Sequence, residues 1–304
     1  MNLSGKDLLT LADYSSGEIY GLLELAEQLK KESYSPLLIG KSLGMIFEKP
    51  STRTRVSFEV AMTQLGGHAL YLNPADLQLG RGETISDTAK VLSRYVDAIM
   101  IRTFEQEKVE QLAEGADVPV INGLTNDYHP CQVLADLLTI KEKFGTIAGK
   151  TLAYIGDCNN MTHSLMIGAA KVGMNVTIVS PQGCEPSQKI FGDAKQTAAG
   201  TGAAITLTND PVEAVETADV IYTDVWTSMG DEETSERIEK LEPFQVNAKL
   251  WAHAKKSPIF MHCLPAHRGQ EVSAEIIDGP NSVVFDQAEN RLHAQKALLT
   301  ALIG

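Results

Sequence analysis

The sequence predicts an α/β fold made of two doubly wound parallel-sheet domains. Short apolar segments alternate with amphipathic helical segments along the whole chain, which is the pattern of repeated β-α units. Several apolar segments are rich in Val and Ile and lack regular alternation, as expected for parallel strands that helices cover on both faces. The 304 residues suffice for two domains, each with its own core.

The individual elements follow from apolar runs and from helical spacing. In the first half the predicted strands are Leu43–Phe47, Ala69–Leu72, Ala98–Ile101 and Val118–Asn122, and predicted helices cover Val56–Leu65 and Ser86–Tyr95. In the second half the predicted strands are Thr151–Ile155, Val176–Val179, Ala204–Leu207, Val220–Tyr222, Pro258–Met261 and Val283–Phe285. The helices predicted there are Thr162–Val172, Pro211–Thr217 and Ala288–Leu302.

A long helix is expected to join the two domains. It starts near Pro130, because proline suits the first turn of a helix, and Gly145 is a natural stop. We therefore expect a first domain over residues 1–147 and a second over residues 148–287, with the C-terminal helix (about 288–304) packing back on the first.

Composition and charge exclude several classes of protein. Hydrophobic residues make up 43% of the chain and charged residues 21%, which is normal for a globular protein. The net charge of -13 disfavours nucleic acid and anionic membranes as partners, so an anionic ligand needs a local basic pocket. The four cysteines are scattered without a Cys-x-x-Cys pair, and no apolar signal segment or membrane span is evident. These features predict a cytoplasmic protein without a metal site.

The most informative motif is the pentapeptide Ser51-Thr52-Arg53-Thr54-Arg55. It follows a predicted strand and opens a predicted helix, where free backbone N–H groups and the helix dipole attract anions. Two hydroxyls and two guanidinium groups add donors suited to phosphate oxygens. The alternative for this motif is a capped helix with solvated arginines.

Polar residues recur directly after the predicted strands. Because ligands of open α/β sheets bind beyond the carboxyl ends of the strands, six such ends predict one site in the cleft between the domains. The residues are Ser51 to Arg55, Arg102 with Thr103, His129 with Gln132, Asp157 to Asn160, Asp224, and His262 with Cys263.

The two halves carry different chemistry. Arg53, Arg102, His129 and Gln132 suit a doubly charged phosphate next to a carbonyl group, whereas Asn159, Asp224 and Ser228 suit a zwitterionic amino acid. His262 and Cys263 are adjacent residues at the end of a predicted strand. Adjacent residues on a strand point to opposite faces, so a nucleophile–base pair is disfavoured. The residues alone favour a buried, inert cysteine.

Four motifs together resemble the ornithine carbamoyltransferase family: Ser51 to Arg55, His129-Pro130-Cys131-Gln132, Ser228-Met229-Gly230 and His262-Cys263-Leu264-Pro265. The resemblance covers the whole chain in the expected order. The first motif is shared with aspartate carbamoyltransferases and identifies only the broader superfamily. The last two are more discriminating, since they are typical of the ornithine branch.

The resemblance implies transfer of the carbamoyl group from carbamoyl phosphate to L-ornithine, giving L-citrulline and phosphate without a metal or organic cofactor. Arg53, Arg102, His129 and Cys263 are the implied catalytic residues. The implied carbamoyl phosphate ligands are Ser51, Thr52, Arg53, Thr54, Gln78, Arg102, His129, Gln132, Cys263, Leu264 and Arg291. The implied ornithine ligands are Asn159, Asp224, Ser228 and Met229.

The resemblance also implies features beyond these side chains. Gln78 corresponds to a residue lent to a neighbouring subunit, so a homotrimer or a multiple of it is expected. The Leu264-Pro265 bond corresponds to a cis peptide. The segment Trp226 to Gly230, followed by acidic Asp231 to Glu233, is interpreted as a mobile lid.

Three other functions compete with this one. A carbamoyltransferase acting on N-acetylornithine or putrescine is the nearest, and Asp224 favours a free α-amino group instead. A nicotinamide-dependent dehydrogenase is disfavoured because the turn after Ile155 lacks the Gly-x-Gly-x-x-Gly fingerprint. A two-lobed amino-acid-binding protein without catalysis would be distinguished by its failure to turn over carbamoyl phosphate.

Overall fold

The structure is a computed structural model that describes residues 2–77, 82–227 and 234–304. The chain divides into two compact units, one formed by Met1–Leu138 with Glu289–Gly304 and the other by Thr139–Ala288. Their boundaries fall inside two helices. The predicted sites Gln78, Ser228 and Met229, and the lid segment from Ser228 to Glu233, lie outside the described residues.

The first unit contains a four-stranded parallel sheet in the order β2-β1-β3-β4. Its strands are β1 (Ser42–Phe47), β2 (His68–Leu72), β3 (Ala98–Arg102) and β4 (Val120–Leu124). Its helices are α1 (Ser16–Lys30), α2 (Thr52–Gln64), α3 (Ile85–Leu92), α4 (Gln106–Gly115) and α5 (Pro130–Phe144), the last of which continues into the second unit.

The second unit contains a five-stranded parallel sheet in the order β7-β6-β5-β8-β9. Its strands are β5 (Thr151–Ile155), β6 (Asn175–Val179), β7 (Ile205–Thr208), β8 (Val220–Thr223) and β9 (Ile259–His262). Its helices are α6 (Asn160–Val172), α7 (Gln188–Thr201), α8 (Pro211–Thr217), α9 (Ser235–Leu241), α10 (Ala248–Trp251) and α11 (Ala274–Ile277). Helix α12 (Val284–Ile303) begins in this unit and ends in the first.

These elements confirm the predicted fold class and most predicted strands. Strand β4 begins two residues later than predicted, because Pro119 has no N–H group to donate to the sheet. The joining helix starts at Pro130 and ends before Gly145, which has the left-handed φ of +72°. Both of its ends agree with the prediction.

The predicted strand Val283–Phe285 is wrong. The residue just before this segment, Ser282, forms an isolated bridge to Phe260. Helix α12 then starts at Val284, inside the predicted strand. Val283 and Val284 are buried whereas the Phe285 side chain is 72% exposed, a pattern of a helix start and not of a strand covered on both faces.

Each unit has its own apolar core on its sheet. In the first, Ile46, Ile99, Ile101 and Val120 pack with side chains of α3 and α4. In the second, Ala153, Ile155, Ile221 and Phe260 form the sheet side of the core.

No helix in the described parts of the chain combines the length and hydropathy needed to cross a membrane.

Candidate active site

Helix α2 begins at the carboxyl end of β1, next to the point where the strand order of the first sheet reverses. Ser51 caps this helix, since its Oγ accepts a hydrogen bond from the Thr54 N–H at 3.2 Å. Arg102 ends the neighbouring strand β3. The sheet topology therefore brings the pentapeptide and Arg102 to one switch point, where α/β folds bind ligands.

The two arginines of the pentapeptide have different surroundings. Arg55 forms an ion pair with Glu59 at 2.9 Å, and its guanidinium lies 3.8 Å from the centre of the Tyr71 ring. Successive helical residues are turned by about 100°, so residues 53 and 55 face nearly opposite directions. The expectation that both guanidiniums serve the anion site is corrected: Arg55 is held on the outer surface by Glu59 and Tyr71.

A hydrogen-bonded chain joins three helices of the first unit. Arg291 of α12 donates through one nitrogen to Gln132 Oε1 at 2.6 Å and through the other to Thr54 Oγ1 at 3.2 Å. Gln132 in turn donates from Nε2 to Asp136 Oδ1 at 2.9 Å. Thr54, Gln132, Asp136 and Arg291 are all buried.

His129 lies within the field of three guanidinium groups. Burial, followed by the charges of Arg291, Arg102 and Arg53, holds the pKa of His129 well below its usual value of 6.5. The imidazole is therefore neutral at pH 7 and can donate or accept a hydrogen bond without carrying charge. A dianion bound here would meet cations and neutral donors together.

The first unit therefore brings most of its predicted residues together. Hydrogen bonds connect Ser51, Thr54, Gln132 and Arg291, and electrostatic coupling places Arg53 and Arg102 near His129. Thr52 is the exposed first residue of α2. Sequence reasoning missed Asp136, although its spacing of four residues from Gln132 on one helix was a signal for contact.

The second unit assembles a separate polar cluster around Asp224. This residue follows β8, and Asn159 follows β5, so the two flank the switch point of the second sheet. Asn159 Nδ2 donates to Asp224 Oδ2 at 2.9 Å, and the Cys263 thiol donates to Asp224 Oδ1 at 3.0 Å. These three predicted residues form one contiguous group.

Asn159 also has a structural role. Its Oδ1 accepts from the Met161 N–H at 2.9 Å and caps helix α6, while its own N–H donates to Thr162. Both ends of the amide are thus engaged, one with the helix and one with Asp224. The Asn159 side chain thereby fixes the orientation of the Asp224 carboxylate.

Cys263 and His262 hydrogen-bond to different partners, but the expectation that they point to opposite faces of a strand is corrected: β9 ends at His262, and a His262 ring nitrogen lies within 4.8 Å of the Cys263 sulfur. Cys263 is half-buried and contacts Asp224, so the expectation that it is fully buried is corrected. His262 is fully buried: its Nδ1 accepts from the Leu264 N–H at 2.9 Å, and its Nε2 lies 3.3 Å from Glu271. The Leu264-Pro265 peptide is cis, as the resemblance implied.

Within the described ranges, Asp224, His262 and Cys263 form a group with ligand atoms within 4.8 Å of one another. Such a group could hold a cation only if a ring nitrogen of His262 offered a lone pair. The Nδ1 lone pair accepts from Leu264, and Nε2 faces Glu271. The donor set is therefore built for internal hydrogen bonding.

Each unit matches a model of a known protein family. Residues 6–142 match the family model "Aspartate/ornithine carbamoyltransferase, carbamoyl-P binding domain", and residues 148–302 match "Aspartate/ornithine carbamoyltransferase, Asp/Orn binding domain". The ornithine carbamoyltransferase of Bacillus subtilis is 63% identical over 303 residues, covering 99% of this chain and 95% of the relative. The anabolic ornithine carbamoyltransferase of Pyrococcus furiosus is 59% identical over 309 residues, covering 100% and 98%.

Solved structures of ornithine carbamoyltransferases have the same fold as this chain. The ornithine carbamoyltransferase structure from Pyrococcus furiosus superposes with a TM-score of 0.97 at 58% identity, covering 100% of this chain and 99% of the other. The structure from Thermus thermophilus gives 0.89 at 45% identity, covering 98% and 99%. With both family models matched and relatives this similar along their whole length, the chain belongs to the aspartate/ornithine carbamoyltransferase family.

Proposed function

We propose that this chain is an ornithine carbamoyltransferase, which transfers the carbamoyl group of carbamoyl phosphate to the δ-amine of L-ornithine and releases L-citrulline and phosphate. The observation that carries the proposal is the convergence of Arg53, Arg102 and Arg291 on His129 at the start of α2. The names of relatives about 60% identical support ornithine as the acceptor.

The first unit binds carbamoyl phosphate in this proposal. The N-terminus of α2 supplies backbone N–H groups, and Ser51 and Thr54 add hydroxyl donors for the phosphate oxygens. Arg53 and Arg102 neutralise the dianion. Arg291 and Gln132, already joined by a 2.6 Å hydrogen bond, orient the carbamoyl group.

The second unit binds ornithine. The Asp224 carboxylate, held by Asn159 and Cys263, accepts hydrogen bonds from the α-ammonium group. Ser228 and Met229 complete the ornithine ligands in this proposal. A site built to hold a free ammonium group rejects an analogue that lacks it, because the buried carboxylate is then left without its partner.

Catalysis combines alignment with charge stabilisation. The uncharged δ-amine attacks the carbamoyl carbon, and negative charge develops on the carbonyl oxygen, where Arg53, Thr54, Arg291 and the neutral His129 stabilise it. Loss of one such preorganised donor typically lowers the rate by about 10²–10³. Alignment of two bound substrates supplies roughly 7–11 kcal/mol of the barrier. The departing phosphate accepts the amine proton, so no general base from the protein is required.

A citrulline assay with purified protein tests the proposal. Carbamoyl phosphate and L-ornithine should give citrulline and phosphate in equal amounts, with saturation by both substrates. N-acetylornithine and putrescine, tested at the same concentrations, should be carbamoylated far more slowly. Turnover that is faster with either of these amines than with ornithine would reject ornithine as the substrate.

We also propose that the chain works as a homotrimer or a multiple of it, in which Gln78 serves the site of a neighbouring subunit. Exposed apolar side chains on the first unit support association, since large apolar groups outside a core often mark interfaces. Those near the β1–β2 edge are Tyr34, Leu37, Ile39, Leu70 and Tyr71.

A further inference from the structure

Asp136 is a buried carboxylate that the proposed mechanism leaves without a role. Its side chain is 0% exposed, and it lies one helical turn after Gln132 on the same face of α5. Gln132 Nε2 donates to Asp136 Oδ1 at 2.9 Å. A carboxyl group at this depth needs hydrogen-bond partners, because burial of a polar group is unfavourable without them.

The contact decides which way the Gln132 amide faces. An amide has one accepting oxygen and one donating NH2 group. With the NH2 group facing the Asp136 carboxylate, the oxygen faces Arg291, which donates to it at 2.6 Å. The reversed amide would set oxygen against oxygen at Asp136 and NH2 against guanidinium at Arg291, so both contacts would become repulsive.

The orientation of the amide in turn holds Arg291. One guanidinium nitrogen donates to Gln132, and the other donates to Thr54 Oγ1 at 3.2 Å. Thr54 belongs to the anion-binding pentapeptide, and its N–H is bonded to the capping Ser51. A continuous chain of hydrogen bonds thus runs from Asp136 to the phosphate-binding turn.

Asp136 can also offset charge when its carboxyl group is ionised. Arg102 and Arg291 are both buried, and together with Arg53 they form a cationic cluster around His129. An anion fixed behind Gln132 lowers the free energy of keeping these cations together before substrate arrives. The Gln132 amide hydrogen-bonds both to this carboxyl group and to the Arg291 guanidinium.

We propose that Asp136 is a positioning residue for carbamoyl phosphate: it fixes the Gln132 amide so that the amide oxygen holds the Arg291 guanidinium beside Thr54. The inference rests on the proposed function and adds to it a residue behind the substrate ligands. Its effect belongs to the binding of the phosphate substrate.

Binding of carbamoyl phosphate and of inorganic phosphate, followed by calorimetry and by phosphorus NMR, tests the inference in the full-length protein. Asp136→Asn keeps an acceptor for Gln132 but removes the charge, and should raise both dissociation constants by roughly threefold. Asp136→Leu removes the acceptor as well and should raise them more than about tenfold. The KM for ornithine should change much less.

Leu137→Ala is the matched control. Leu137 is the next residue of α5 and is fully buried, so the change loosens the same helix without touching the hydrogen-bonded chain. This variant should lower the melting temperature and leave the phosphate dissociation constant unchanged. If Asp136→Leu behaves in the same way as Leu137→Ala, Asp136 is only structural and the inference is rejected.

A paired exchange tests the orientation of the amide directly, even if Asp136→Leu fails to fold. Gln132→Glu alone sets two carboxylates against each other and should weaken phosphate binding strongly. Adding Asp136→Asn restores a donor facing an acceptor, so the double variant should bind phosphate at least about tenfold more tightly than Gln132→Glu. Purely additive effects would overturn the proposal. Wild-type protein that binds no carbamoyl phosphate would instead reject the proposed function.

Discussion

His129 shows at the residue scale how surroundings select the role of a side chain. Burial and three neighbouring guanidiniums lower its pKa, so this histidine is neutral and not a cation at physiological pH. A general acid that titrates near pH 7 would need the opposite surroundings.

The pH dependence of kcat/KM for ornithine should reflect the amine alone. An amine with a pKa near 10 is mostly protonated at neutral pH, so kcat/KM should rise nearly tenfold per pH unit from about pH 6 to 9. The lowered pKa of His129 predicts no inflection near pH 6.5. Initial rates at fixed ionic strength check this, and a flat profile would contradict it.

The lowered pKa of His129 also predicts how the stability of the fold changes with pH. Because the pKa of His129 is lowered in the folded protein, the unfolded chain binds the proton first as the pH falls below about 6.5. The free energy of unfolding should therefore decrease between about pH 6.5 and 5. In His129→Gln, denaturant unfolding should show a shallower decrease over this range, and an unchanged slope would contradict the assignment.

Cys263 is predicted to position Asp224 and not to act as a nucleophile. Cys263→Ala removes the thiol donor at 3.0 Å and should raise the KM for ornithine by about tenfold while turnover continues. Cys184→Ala, at another half-buried cysteine of the same unit, should keep the wild-type KM. Detection of a carbamoylated Cys263 by mass spectrometry during turnover would overturn this prediction.

The loop after β5 connects element geometry with the site. Gly156 has a φ of +138°, a conformation that L side chains rarely adopt, and its N–H donates to Val179 O at 3.0 Å. This turn carries the chain from the sheet to Asn159, the cap of α6. Glycine is thus required where the backbone turns toward the site.

Gly156→Ala should lower the free energy of unfolding by about 1–3 kcal/mol through backbone strain. The same change should raise the KM for ornithine, because Asn159 follows the strained turn. Gly192→Ala is the control, since Gly192 lies inside α7 with open space around it. This variant should have a free energy of unfolding that is higher by about 0.5–1 kcal/mol. Thermal unfolding and kinetics measure both, and equal effects of the two variants would contradict the argument.

Elements with a clear pattern were predictable from the sequence, and long-range arrangements were not. Apolar runs located the strands from β1 to β9, and Pro130 and Gly145 located both ends of α5. The prediction of a strand over Val283–Phe285 was wrong because two β-branched residues and an aromatic residue in a row are typical of a strand. The exposure of Phe285 depends on tertiary packing, which the local pattern does not reveal. Asp136 was missed because an acid inside a helix usually faces solvent.

Within each unit, the order of the strands explains why the predicted residues of that unit lie close together. Neither β2-β1-β3-β4 nor β7-β6-β5-β8-β9 can be read from the sequence, yet each places its polar loops beside a switch point. The strand ends were predictable one by one. Their grouping depends on pairings between segments far apart in sequence.

At the scale of the whole molecule, the charge distribution matters more than its sum. The net charge is -13, but Arg53, Arg102 and Arg291 gather near one histidine. A small dianion can therefore be attracted locally, while polyanions meet an acidic surface.

Shared sites are testable with mixed oligomers. Gln78→Ala and Arg53→Ala should each be nearly inactive alone if both residues serve one site. When the two variants are co-expressed, about one quarter of the sites in randomly mixed trimers should contain both native residues and recover activity. Light scattering should give a mass that is a multiple of three 32.9 kDa chains. Inactive mixed trimers would contradict a shared site.

The contact between Arg291 and Thr54 spans 237 positions of the chain. A ribosome releases the pentapeptide long before it releases the arginine that completes the pocket. In the proposed function, nascent chains can therefore form the first sheet early but gain full affinity for the dianion only near the end of translation, so the ligand can stabilise finished chains and not growing ones.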